Sequence, residues 1–182
     1  MPRIELIASK SELPEDRHAE FDAIVDVLHG VRGPFAILMR SPGLAQKVME
    51  AGAHVRLHST LTPVERELAI IAVAREKDAA YEWASHVATG RKAGLSEQTI
   101  DAVRNRGDLG QLPPDERELI TFVRQLLRAN RVDQSVFDAL LRRHGERWLV
   151  ELAATVGQYQ YISAINNTFD LQPASGADQL PI

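Results

Sequence analysis

The chain contains no cysteine, and that absence removes more chemistry than any other feature of its composition. Without thiols there is no disulfide, no thiolate metal site and no cysteine nucleophile. No apolar run approaches the roughly 20 residues needed to span a bilayer. The opening MPRIELIASKSELPEDRH soon turns acidic and polar, without the apolar centre of a signal peptide. With no export signal in view, the cytoplasm is the expected location and no membrane partner is expected. Positive charge is not in excess either: a net charge of −4 gives no global attraction to nucleic acid. The local cluster Arg142, Arg143, His144 and Arg147 ends one helical run and opens the next, so favourable charge at a helix C-terminus is its simpler reading. No glycine-rich phosphate loop, P-loop or G-x-S-x-G elbow is found. Internal repeats and low-complexity segments are missing as well.

What is present is enough for a packed core. The 182 residues, 45% hydrophobic and 25% charged, suit one soluble domain spanning 1–182. Nearly every periodic segment reads as helix, and none alternates as a strand would. Residues 1–32 read as an N-terminal helical extension, in which Glu15 to about Val31 carries Phe21, Ile24, Val25 and Leu28 at helical spacing and is ended by Gly30, Gly33 and Pro34. Ser41-Pro42 opens a helix to about Leu57. Thr62, Pro63 and Glu65 supply N-cap, N1 proline and capping box for a helix to about Lys77. Asp78 and Ala79 link it to a second helix, Ala80 to a Gly94 C-cap. Ser96 caps a helix to about Arg106, and Gly107 to Pro114 is a loop. Pro114–Ala129 and a helix capped by Asp133 and stopped at Gly145 follow. Arg147 to about Phe169 is apolar almost all round, so it is expected to be central to the core or buried by a partner subunit. The tail from Gln172 reads as extended or disordered unless another subunit holds it. The fold class is all-α, with about seven to nine helices.

The chemistry concentrates between Glu67 and Leu95. Glu67 shares an apolar stripe with Ile70, Ile71 and Ala74, so it must be paired or have a raised pKa. Glu82 and His86, four residues apart, project from one helix face that continues to Gly90. The short link makes the two helices antiparallel neighbours, compatible with Glu67 meeting His86. A carboxylate can orient an imidazole and support its charged form, and a second carboxylate in an apolar setting can hold a proton at neutral pH and act as acid. The plainer alternative is a surface Glu–His pair, with Glu67 balancing the helix dipole or pairing with Arg66 or Arg75. Glu82 with His86, and His54 with His58, also offer pairs of metal ligands, but no third ligand is spaced diagnostically and no metal is expected. Tyr81 and Trp83 flank Glu82 on other faces; they read as core or subunit contacts and, beside the site, as candidates for substrate contact. Asn166 and Asn167 end an apolar helix, where C-capping competes with ligand contact.

The combination E-L-A-I…Y-E-W-x-x-H…A-G-L-S in residues 67–96 resembles the carboxymuconolactone decarboxylase family, which includes the AhpD-type alkylhydroperoxidases. Gly33-Pro34, Ser41-Pro42-Gly43-Leu44-Ala45 and Asn167-Thr168-Phe169-Asp170-Leu171 extend the likeness over roughly residues 33–173. The thiol-dependent branch places two cysteines between the relay glutamate and histidine. Aligned here, Glu67 and His86 match while the cysteine positions fall on Ala79 and Glu82. Neither can form a peroxidatic thiolate or a disulfide, so thiol peroxidase activity is excluded. The resemblance implies the decarboxylase side: a cofactor-free lyase on a small carboxylated or lactone-type molecule, of the kind met in breakdown of aromatic acids. In that reading His86 gives or takes the proton, Glu82 tunes it, Glu67 is a second acid–base group, and Asn167 binds substrate. The resemblance also implies a homo-oligomer, trimer or hexamer, with the site near a subunit interface. The competing function is a non-catalytic ligand-binding or assembly protein on the same scaffold. A metal-dependent enzyme is the third.

Overall fold

The computed structural model describes residues 2–181 and, among them, contains nine α-helices and no strand. They are α1 (His18–Leu28), α2 (Pro34–Leu38), α3 (Pro42–Ala53), α4 (Pro63–Glu76), α5 (Ala80–Ala93), α6 (Glu97–Arg104), α7 (Pro114–Ala129), α8 (Gln134–His144) and α9 (Glu146–Thr168). The capping box at the start of α4 forms as its sequence requires: Thr62 Oγ1 accepts from the Glu65 amide, and Glu65 accepts from the Thr62 amide at 2.7 Å. Such a cap contributes about 1 kcal/mol and fixes where α4 begins. Gly94 takes the left-handed conformation at φ 108° that ends α5.

The core has two parts. The larger gathers α4, α5, α6, α7, α8 and α9, and the smaller joins α1, α2 and α3 to Ile162 of α9. Helix α4 is the centre: every residue from Glu67 to Arg75 is buried. It packs antiparallel against α5, so Gly90 near the end of α5 lies beside Glu67 near the start of α4. A side chain at Gly90 would collide with Leu95, which explains the glycine there.

Several boundaries differ from the sequence expectation. Pro34 does not simply end α1; it occupies N1 of α2, because its fixed φ and missing N–H suit a helix start. The helix expected to reach Leu57 is α-helical only to Ala53 and then widens into a π turn over His54–His58. Helix α9 is not surrounded by its own chain: Val150 is 68% exposed, and Ala153, Ala154, Gly157 and Ala164 share its open face. The tail is irregular but is held by its own subunit. Asp178 pairs with Arg91 and, at 3.0 Å, with Arg104, and Leu180 is buried. The N-terminal segment is equally tied in, with Ile7 N–H donating to Ala36 and Arg3 N–H to Phe169.

Candidate active site

Glu67, Glu82 and His86 converge. His86 Nδ1 donates to Glu67 Oε2 at 2.7 Å, and its Nε2 lies 3.3 Å from Glu82 Oε2. The i, i+4 spacing on α5 supplies one contact, and the antiparallel packing on α4 supplies the other. Glu67 Oε1 meets Arg66 Nε at 3.3 Å, while Asn166 Nδ2 of α9 donates to Glu82 Oε1 at 2.8 Å. Tyr159, also on α9, meets the imidazole edge to face at 5.0 Å between ring centres. Glu67, Glu82 and His86 are all buried, and each has polar partners: His86 meets both carboxylates, Arg66 stands beside Glu67 and Asn166 beside Glu82. Such a set is tolerable only because each charge has a partner.

The electrostatics fix the resting protonation of two members. Burial alone would discharge His86, but the hydrogen bonds to Glu67 and Glu82 outweigh it and push the imidazole up to about 9. Burial likewise opposes ionisation of Glu67, yet the bond to His86, reinforced by Arg66, holds its carboxyl below the usual range. His86 is therefore a cation at neutral pH and Glu67 an anion. Of the two alternatives the sequence left for Glu67, paired or raised in pKa, the paired one holds, because α5 brings the His86 imidazole against it. Burial keeps the Tyr159 phenol protonated, and raises Tyr81 with help from Glu82.

His86 and Glu82 open onto a cavity of about 430 Å³ between the two cores, whereas Glu67 stands behind His86 and does not reach the wall. Phe35, Met49, Tyr159 and Ile162 give the cavity an apolar lining, with Tyr81 and Thr89 adding hydroxyls. Arg32, from the loop between α1 and α2, and Arg56, from the π turn, also line it. Both are exposed, and among the described residues neither has a carboxylate within 4.0 Å. The cavity thus joins an apolar wall, an imidazolium–carboxylate pair and two uncommitted guanidiniums. This is a setting for a small organic anion.

Three sequence candidates are placed differently. Tyr81 lines the cavity, and its hydroxyl packs against Gly33. Trp83 does not: it is fully buried in the larger core under the Arg104 guanidinium, because it lies one residue round the helix from Glu82. Asn167 also turns away, donating to the Lys77 carbonyl at 2.7 Å on an exposed face. Its neighbour Asn166 is the asparagine at the site. The signal was the spacing: Asn166 continues the buried series Tyr159, Ile162 and Ser163, and Asn167 does not. Arg32 and Arg56 carried no sequence signal, being ordinary charges until the fold brings them to one opening. His54 and His58 are exposed, and the nearest carboxylate, Glu151 at 3.6 Å from His54, is already held by Thr60 and Arg147. Among the described residues no group of three or more His, Asp or Glu side chains is placed to hold a metal ion.

Comparison with known proteins agrees with this fold. The AhpD core of a peroxidase-related protein from Ralstonia eutropha JMP134 superposes with a TM-score of 0.76 at 22% identity, covering 96% of this chain and 93% of that one. A peroxidase-related protein from Silicibacter sp. TM1040 gives 0.75 at 17% identity, over 96% and 92%. The debrominase Bmp8, solved with 2,3,4-tribromopyrrole, gives 0.67 at 18% identity, over 96% and 94%. At such identities the likeness is one of fold. No curated protein sequence matches. The sequence match is to a family model: residues 42–109, which contain Glu67, Glu82 and His86, match the carboxymuconolactone decarboxylase family, and this stretch is free of cysteine.

Proposed function

We propose that the protein is a cofactor-free acid–base enzyme of the carboxy-lyase kind, acting on a small carboxylated or lactone-type ring. The observation that supports this reading is the placement of an imidazolium, clamped between two carboxylates, on the wall of a cavity that also holds two unpaired arginines. Loss of carboxylate leaves an electron pair on carbon, which must be stabilised and then protonated. The arginines would hold anionic oxygens of the substrate. As the carbon–carbon bond breaks and CO2 departs, the Nε2–H of His86 gives its proton to the carbon left behind. Its contact to Glu82 is the longer of the two, so this is the N–H free to be shared. Neutral His86 then regains a proton from water, while Glu67 preserves ring orientation and favours the recharged form. The composition leaves no route to thiol peroxidase chemistry.

Replacing His86 with Ala should leave the fold intact and lower turnover at least about a hundredfold. Near-normal turnover would remove His86 from the mechanism and favour a binding or assembly protein. In the wild type, turnover should fall as pH rises through about 9, where the donor loses its proton. We also propose self-association, trimeric or hexameric, through the open face of α9 around Val150, Ala153, Ala154 and Gly157. Light scattering at micromolar concentration should give a multiple of the 20.2 kDa chain, and a monomer would contradict this.

A further inference from the structure

Among the described residues, Asn166 is one of three buried side chains with an unpartnered polar atom, beside Trp83 Nε1 and Ser163 Oγ, and it is the one of these that also bonds a residue of the site. It is 1% exposed, its Nδ2 donates to Glu82 Oε1 at 2.8 Å, and its Oδ1 is buried without a partner. A buried orphan acceptor costs about 1–3 kcal/mol. The single side-chain hydrogen bond of Asn166 is to Glu82, so whatever Asn166 does is done to Glu82.

Glu82 needs holding. It is the one carboxylate on the cavity wall, and the charged groups around it pull in different directions. On its own helix stand His86 and the Tyr81 phenol. From α4 come Glu67 and Arg66 behind the imidazole, and from α9 the Tyr159 phenol. From the loop between α1 and α2 come Arg32 and His29, and from the π turn Arg56. Glu82, Arg32 and Arg56 all line the one cavity, so carboxylate and guanidiniums face the same space. An untethered glutamate beside open space would rotate toward two free guanidiniums. Instead it stays at 3.3 Å from His86, with its other oxygen on Asn166.

We infer that Asn166 is a positioning residue: its amide tethers Glu82 to His86 and keeps it off the two arginines, leaving them for the anionic group of a substrate. The tether comes from α9 and the two groups it joins from α5. The binding and proton-handling halves of the cavity are thereby prevented from neutralising each other. The inference rests on the reading of this cavity as the acid–base site, but its test needs no turnover.

The test follows His86 by imidazole nitrogen NMR in the full chain, with and without Asn166→Ala. In the wild type the two carboxylates push the imidazole up to about 9. Freed Glu82 leaves His86 with one carboxylate, so the variant midpoint should fall by roughly one pH unit. In a Glu82→Gln background the same substitution should move it by less than about a third of that, because the tethered side chain then carries no charge to direct at His86. Benzoate, used as a small aromatic carboxylate, should bind Asn166→Ala about tenfold more weakly than wild type, since Glu82 now occupies the arginines. An unchanged His86 midpoint, equal shifts in both backgrounds, or benzoate binding that ignores Asn166 would each overturn the inference. Should Asn166→Ala not fold, the Asn166 side-chain amide signals decide: Glu82→Gln must shift them, and unmoved signals would refute the tether. These readouts report on the tether even in a chain without lyase activity, so the two readings fail separately.

Discussion

Replacing Glu67 with Gln removes a negative charge from beside His86 while keeping the shape of the side chain and an acceptor oxygen, and its consequence is a change in how stability depends on pH. In the folded chain the imidazole is pushed up to about 9, and in the unfolded chain it titrates near 6.5. Below about 6.5 both states hold the proton, and the full stabilisation from charging His86 is present. Between those values only the folded state holds it, so stability falls by about 1.4 kcal/mol per pH unit. By pH 9 about 3 kcal/mol is lost, a large share of the stability of a domain this size. In Glu67→Gln, burial still opposes the charge, and the contact to Glu82 is the one charged partner left to support it. The fall between about pH 7 and 9 should then shrink to less than half. The assay is urea unfolding followed by far-ultraviolet circular dichroism, in steps from about pH 6 to 10, on both proteins. Other histidines and the terminal amine are common to both, and their contributions cancel in the difference. A wild-type curve flat between pH 7 and 9, or the same fall in both proteins, would refute the proposed clamp.

Two further substitutions test the cavity. Arg32→Ala and Arg56→Ala should each weaken benzoate binding by about tenfold or more, with loss of most binding in the double variant; calorimetry reads both, and unchanged affinities would show that the rim does not bind anions. Gly33→Ala should destabilise the chain by about 1–3 kcal/mol in urea unfolding, because its φ is 59° and a Cβ there would strike the Tyr81 ring. A neutral result would mean that the Tyr81 wall gives way.

Helix termini were legible in the sequence wherever local chemistry decides them. Thr62, Pro63 and Glu65 opened α4, and Gly94 closed α5, because caps act within a few residues. The π turn at His54–His58 was not legible, since no local rule distinguishes it from one more α turn. Helical spacing identified α9 as apolar but not the face it buries; its series of small residues packs neither part of the core and stays open. At the site, spacing placed Glu82 beside His86. The Glu67 contact required the antiparallel packing of α4 and α5, which the short link suggested. The protonation states were beyond spacing altogether. Glu67 is ionised because a cation was brought to it, and His86 is charged because two carboxylates were. Asn166 and Asn167 show the limit best: adjacent residues of one type face opposite ways, one to Glu82 and one to the Lys77 carbonyl.

The most direct test of the central claim is release of CO2 from a panel of carboxylated γ-lactones in deuterated water, comparing the wild type with His86→Ala. The account requires that the wild type release CO2 and place deuterium on the carbon that bore the carboxylate, and that His86→Ala do so at least about a hundredfold more slowly. Equal rates in the two proteins, or no release by the wild type from any lactone in the panel, would contradict it.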